Sequence, residues 1–376
     1  MGLIRLLLAI SVVVDHSNPL FGFSFVGGQL AVEIFFIISG FYMALILSEK
    51  YNRPSDKKTF ITNRLLKIFP TYWVILILAL IYELANAYFH NSPNEISLFV
   101  HPSIQLNLFS FLYFLLTNII IIGQDIILYL GINIHTGVLF FTSNYSLFNP
   151  PLYSFMVVPQ AWSLSLELIF YFLAPFLNRF RTKWLLLIMS LSLIPRVILY
   201  HFGLNHDPWT FRFFPTELLF FLSGIIAYRI FKFIENKDIK KWLLCLFYGS
   251  YILSIIFYQY IPSNNIKMWG LLFVTAMLLP FVFKLTKRIK IDRFVGELSY
   301  PVYISHFLVI DFLTHFTPIN HSFLSLVATI VSILLSIILL QFIMKPIDKI
   351  RQKRITAPTQ EFGPLFFLTK IAPNRQ

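Results

Sequence analysis

Apolar runs as long as a lipid bilayer is thick constrain this chain more than any other feature of its sequence. Tyr72–Tyr82, Trp184–Leu199, Trp242–Tyr258 and Phe323–Met344 carry almost no charge, and several reach or approach the roughly 18–20 residues that a bilayer-spanning helix needs. A soluble core would break such runs with polar faces. Composition agrees, because 57% of the 376 residues are hydrophobic and 12% charged, where soluble domains average roughly 45–50% and about 25%.

The formal net charge of +13 would suit a nucleic-acid binder if it lay along one polar face, but it does not. The cations cluster around Arg5, Lys50–Lys67, Arg179–Lys183, Arg229–Lys241, Lys284–Arg293 and Lys345–Arg375, and only Arg196, Arg212 and Lys267 fall elsewhere. Each cluster separates two hydrophobic runs, the pattern that the positive-inside bias produces when all clusters are cytoplasmic. An even number of crossings with both termini cytoplasmic follows. The expected spans are 3–18, 28–48, 65–88, 161–178, 184–202, 213–230, 242–260, 268–284, 296–315 and 322–344. The fold class is therefore an all-α polytopic membrane protein of about ten transmembrane helices, with residues 1–346 as the membrane domain and 347–376 as a cytoplasmic basic tail.

Leu106–Leu130 is equally apolar, but a single extra crossing would reverse the sidedness of Arg179, Arg181 and Lys183. A re-entrant segment is the favoured reading, since Asn149, Pro150 and Pro151 interrupt the Val138–Val158 stretch with which it would otherwise pair. Arg5 followed by Leu6–Val14 resembles the start of a signal peptide, yet no small-residue cleavage pattern follows it. The lone Cys245 leaves no internal disulfide or paired-thiol metal site.

Ionisable residues within spanning helices are costly and point to function. Here they are His16, Glu33, Glu167, Glu217 and His306. With both termini inside, His16 ends the first helix while Glu33 and Glu167 begin helices entering from outside, so the three share the outer layer. Glu33 or Glu167 would then orient the His16 imidazole, whereas Asp15 points about 100° away. Arg5 lies eleven positions before His16, about 16 Å along a helix, and Arg64 begins the third helix on the same side. Guanidinium groups below and a His–carboxylate group above suit a long substrate with an anionic head and a deep reactive end. Arg5 and Arg64 are equally compatible with membrane anchoring, and Glu217 and His306 with packing. No metal-binding His spacing, phosphate-binding glycine loop or G-x-S-x-G elbow occurs.

Arg5-x10-His16, Gly27–Phe41 with Glu33, Phe60-Ile61-Thr62-Asn63-Arg64 through Pro70, Trp162-Ser163-Leu164-x-x-Glu167-x-x-Phe170-Tyr171, and Gly296–His306 occur in that order. Together they resemble the acyltransferase-3 family of bacterial membrane O-acyltransferases. Ala31 stands where the family usually has glycine, and Met344-Lys345-Pro346 lacks the usual acidic residue. The resemblance implies cytoplasmic acyl-CoA as co-substrate, acetyl-CoA above all, with no tightly bound cofactor or metal. It implies a hydroxyl of a surface glycan or lipid-linked glycan as acceptor, and the bacterial inner membrane as location. His16 would be catalytic, Glu33 and Glu167 its helpers, Arg5 and Arg64 donor-binding, with His306 and Arg212 as further candidates. Nucleic acid is not an expected partner. The outer loops Asn86–Ile104 and Asn144–Gln160 are expected to shape acceptor choice. The competing class is a proton-coupled exporter, because buried His and carboxylates also build proton relays; no inverted repeat supports it.

Overall fold

The computed structural model describes residues 1–376 except 54, 91–97, 100–103, 263–264 and 357–376. Helices stand at all ten expected positions: α1 (Gly2–Asp15), α2 (Gly28–Glu49), α3 (Asp56–His90), α6 (Trp162–Leu177), α7 (Thr182–His201), α8 (Phe214–Ile234), α9 (Lys241–Ile256), α10 (Asn265–Thr286), α11 (Lys290–Phe316) and α12 (His321–Leu339). Between α3 and α6 lie α4 (Leu108–Ile120), α5 (Gln124–Ile127) and an antiparallel hairpin of β1 (Leu130–Ile132) and β2 (Leu139–Phe141). A π-helical turn, Leu340–Met344, joins α12 to α13 (Lys345–Thr356). Among the described residues, six helices are long and apolar enough to cross a membrane by length and composition. Their outer faces are apolar too: Trp184, Leu187, Leu191, Ile194 and Val197 of α7 are exposed, as lipid-facing residues should be. The chain is an all-α membrane protein.

The remaining expected spans are shorter or more polar. α11 carries Asp292, Arg293, Glu297 and Asp311 along its length. At 14 residues, α1 rises only about 21 Å, less than the roughly 30 Å hydrocarbon layer. Its end, Asp15 and the following His16, opens onto a cavity.

Glycines let two helix pairs close. A Cβ on Gly40 of α2 would sit 1.9 Å from the Phe221 carbonyl oxygen, and one on Gly224 of α8 would sit 2.0 Å from that of Ile37. α1 approaches α11 as closely, since a Cβ on Gly2 would lie 1.5 Å from the Asp292 oxygen. Small residues at such crossings are how helices pack tightly where lipid removes the hydrophobic drive between them.

The 106–130 segment does not form one helix of spanning length. α4 has 13 residues, about 20 Å of rise, and then breaks at Ile121, whose φ is 67°, and Gly123, whose φ is 92°. Broken backbone inside a membrane protein needs internal partners, and α3 supplies them. Tyr72 donates to the Asn118 carbonyl at 2.5 Å and Trp73 Nε1 to that of Ile119 at 3.0 Å. The Asn118 side chain ties the turn to Phe155 and Val157. Residues 138–158 form β2 and short 3-10 turns, with no second spanning helix. The boundary expected at 346 falls in the first turn of α13, which leans on α3 through Arg354 and Thr62 at 3.0 Å. The tail past Thr356 lies outside the described residues, as does most of the loop within 86–104.

Candidate active site

Two cavities open at opposite ends of α1. The first, about 530 Å³, is lined by Arg5, Lys50, Arg64, Lys67, Lys287 and Arg293, together with Glu167, Ser39 and Tyr171. Arg5 and Arg64 thus meet in one basic chamber although they sit on different helices. Arg64 is 6% exposed, its Nε lacks a partner, and it makes no ion pair with a described residue. Arg5 lies 5.7 Å from the Tyr42 ring. Glu167 accepts from Ser39 Oγ and from Tyr171 OH, both at 2.6 Å. An unpaired guanidinium with fixed donors is suited to phosphate.

The second cavity, about 610 Å³, holds His16 beside Asp15, Gln160, Arg212, Asp207 and Asp311. His16 is the residue on which α1 ends, with φ −92° and ψ 0°, in the sparsely populated bridge region where active-site residues often sit. Its ring is accessible from the cavity. It stacks on His306 at 5.2 Å between centroids and lies 4.4 Å from Phe307. His306 is fully buried and its Nδ1 donates to the Tyr303 carbonyl at 2.6 Å. Arg212 is bound to Asp207 through Nε and Nη2, at 2.6 and 2.7 Å, and lies 4.3 Å from the Trp162 ring. Tyr145, in the loop above, donates to Asp207 at 3.1 Å; burial, then the Asp207 charge, pushes its hydroxyl up to about 12.

The two cavities share Val32 and Tyr303 as lining residues. Tyr303 is pinned there, its hydroxyl 2.7 Å from Ser163 Oγ and donating to the Gln160 carbonyl at 3.0 Å. Tyr303 and Ser163 belong to the Gly296–His306 and Trp162–Tyr171 motifs, and Lys67 to the Phe60–Pro70 motif, so sequence order signalled them. Asp207, in a loop, had no such signal.

The expected His–carboxylate group does not assemble. Glu33 points away from His16, toward α7 and α8, where Arg196 Nη2 lies 3.7 Å from its Oε1 and 2.6 Å from Glu217 Oε1. All three side chains are at most 2% exposed. Helix phase explains the difference: Glu33 and Val32 are neighbours on α2, and Val32 is the one that faces the cavities. Glu167 shares the chamber of Arg64 rather than that of His16. The residues brought to His16 are His306 and, across the cavity, Arg212.

A histidine-lined cavity and a basic chamber thus sit at opposite ends of one helix of a membrane protein. The sequence matches the family described as acyltransferase domain over residues 1–343, and the chain belongs to that acyltransferase-3 family. A protein of Aquifex aeolicus (strain VF5) described as uncharacterized is 28% identical over 207 residues, covering 52% of this chain and 89% of that protein. No solved structure matches.

Proposed function

We propose that the protein moves an acetyl or other short acyl group from cytoplasmic acyl-CoA to a hydroxyl of an extracytoplasmic glycan, in a bacterial inner membrane. One observation carries this reading: the basic chamber and the His16 cavity open at opposite ends of α1 and meet at Val32 and Tyr303. In this reading ten helices cross, both termini are cytoplasmic, and the chamber with Arg5 and Arg64 faces the cytoplasm. The CoA phosphates bind there through guanidinium geometry, and the thioester reaches past Tyr303 toward His16.

The imidazole of His16 has no hydrogen-bond partner among the described residues, which leaves its nitrogens to substrate. As general base it takes the proton of the acceptor hydroxyl. The hydroxyl oxygen then bonds to the thioester carbonyl carbon, the C–S bond breaks, and the imidazolium returns its proton to the departing CoA sulfur. His306, stacked on the His16 ring at 5.2 Å, and Phe307, tilted against it at 4.4 Å, pack on it as positioning residues. Purified protein with His16→Gln should retain acyl-CoA binding and lose acyl transfer by about 10²–10⁴-fold, the range of general acid–base catalysis. Transfer at the wild-type rate by His16→Gln would refute the assignment.

A further inference from the structure

We propose that the part of the acceptor entering the His16 cavity carries no anionic group: it is an uncharged, hydroxyl-rich saccharide rather than a uronate, sialate or phosphorylated sugar. The inference deepens the acyl-transfer reading above and rests on it for the identity of the cavity as the acceptor site.

Four carboxylates, Asp15, Glu83, Asp207 and Asp311, line this cavity, against Arg212 as the one Lys or Arg among the described lining residues. That guanidinium and Asp207 offset each other, both Nε and Nη2 donating to the carboxylate, which leaves Asp15 and Asp311 with no Lys or Arg paired to them among the described lining residues. Gln160 is 4% exposed, its Nε2 donates to the Ile304 carbonyl at 2.5 Å, and its Oε1 is buried without a partner. Gln160 therefore brings no charge to the wall, and its Nε2 is already committed to a carbonyl. Sugar hydroxyls donate to carboxylate and amide oxygens, and Tyr153, Trp162 and Phe307, which also line it, offer faces for ring C–H groups. An anion would meet like charge and, among the described lining residues, no unpaired Lys or Arg.

The acidity is not a by-product of topology. The chain is strongly basic, at +13, and the positive-inside bias places Lys and Arg while leaving Asp and Glu nearly unconstrained.

The sign of the field can be read without the reaction. With Cys245→Ser as background, Tyr153→Cys, or Val157→Cys as a second position, is modified by a cationic and by an anionic methanethiosulfonate, each rate normalised to a free thiol. The cationic reagent should be favoured by on the order of tenfold, and Asp311→Asn should shrink that ratio. A ratio at or below that of the free thiol at both positions overturns the proposal. Transfer from acetyl-CoA to phenyl β-glucoside should likewise exceed transfer to phenyl β-glucuronide by about tenfold at low salt, narrowing as salt rises. Equal or better use of the glucuronide also overturns it. Failure to acylate either sugar, with the cationic preference intact, removes the acyl-transfer reading and leaves the electronegative cavity established.

Discussion

Replacing Arg196 with Met tests whether Glu33 serves structure or chemistry. The guanidinium stands 2.6 Å from one Glu217 oxygen and 3.7 Å from one of Glu33, with all three groups at most 2% exposed. It also lies 5.2 Å from each of the Phe220 and Trp269 rings. Methionine fills most of that volume and removes the charge. Two carboxylates are then left in a dry site without a counter-charge, and breaking such a buried pair costs about 3–5 kcal/mol. For a chain of this size that corresponds to a fall in Tm of about 4–6 °C. Fluorescence-detected size exclusion of detergent-solubilised protein after heating measures it. Adding Glu33→Gln and Glu217→Gln to Arg196→Met should recover most of the loss, because no uncompensated charge remains. A melting temperature for Arg196→Met equal to wild type, or a triple variant no more stable than the single, would refute the reasoning. If the triad is structural, Glu33→Gln alone keeps acyl transfer within about tenfold, far from the loss that removing a general base produces.

Changing Arg5 or Arg64 to Lys replaces a fork of donors with a point charge and should weaken acyl-CoA binding, as calorimetry on purified protein would report; unchanged affinity in both would return them to membrane anchoring. Gly224→Val should abolish folded protein, since its Cβ would land 2.0 Å from the Ile37 oxygen, whereas Gly249→Val, with open space around it, should express normally. Equal yields of the two would contradict the close α2–α8 contact. In a Cys245→Ser background, cysteine at Asp56, Asn236 or Gln352 should label only from the cytoplasm and cysteine at Asn205 or Asn320 only from outside; outside labelling at Asn236 would break the ten-crossing reading.

Helix positions were legible because lipid forces long apolar runs and the Lys and Arg clusters punctuate them. The 106–130 break was legible only as a parity conflict. Its actual device, Tyr72 and Trp73 of α3 capping the exposed carbonyls of α4, is a tertiary contact that no local pattern encodes. In the site, neither the level of Glu167, which meets Ser39 rather than the Glu33 turn of α2, nor the direction of Glu33 was readable. Counting residues along α1, α2 and α6 assigns His16, Glu33 and Glu167 one height, which Glu167 does not keep, and a side chain's azimuth depends on how each helix is rotated against its neighbours. The partner that claims Glu33 is Arg196 on α7, and it had been set aside as one of three cations outside the clusters. His306 shows the converse: its motif drew attention to it, but its stacking on His16 depends on the α1–α11 contact that Gly2 makes possible.

That contact also sets where along α11 the proposed reaction centre lies. α11 runs past both cavities, contributing Gly296 and Tyr300 to the basic chamber and Phe307 and Asp311 to the other, with Tyr303 common to both. α1 lies along it and stops early, so His16 reaches only as far as the His306 level. A helix of full spanning length would carry the histidine to the outer surface, about 9 Å farther, and a thioester held through Arg5 and Arg64 would not extend to it. The shortness of α1 and the Arg5-to-His16 interval of about 16 Å are thus two expressions of one requirement. In the proposed reaction the donor is gripped from one side and the acceptor hydroxyl activated from the other, across a septum as thin as Val32 and Tyr303.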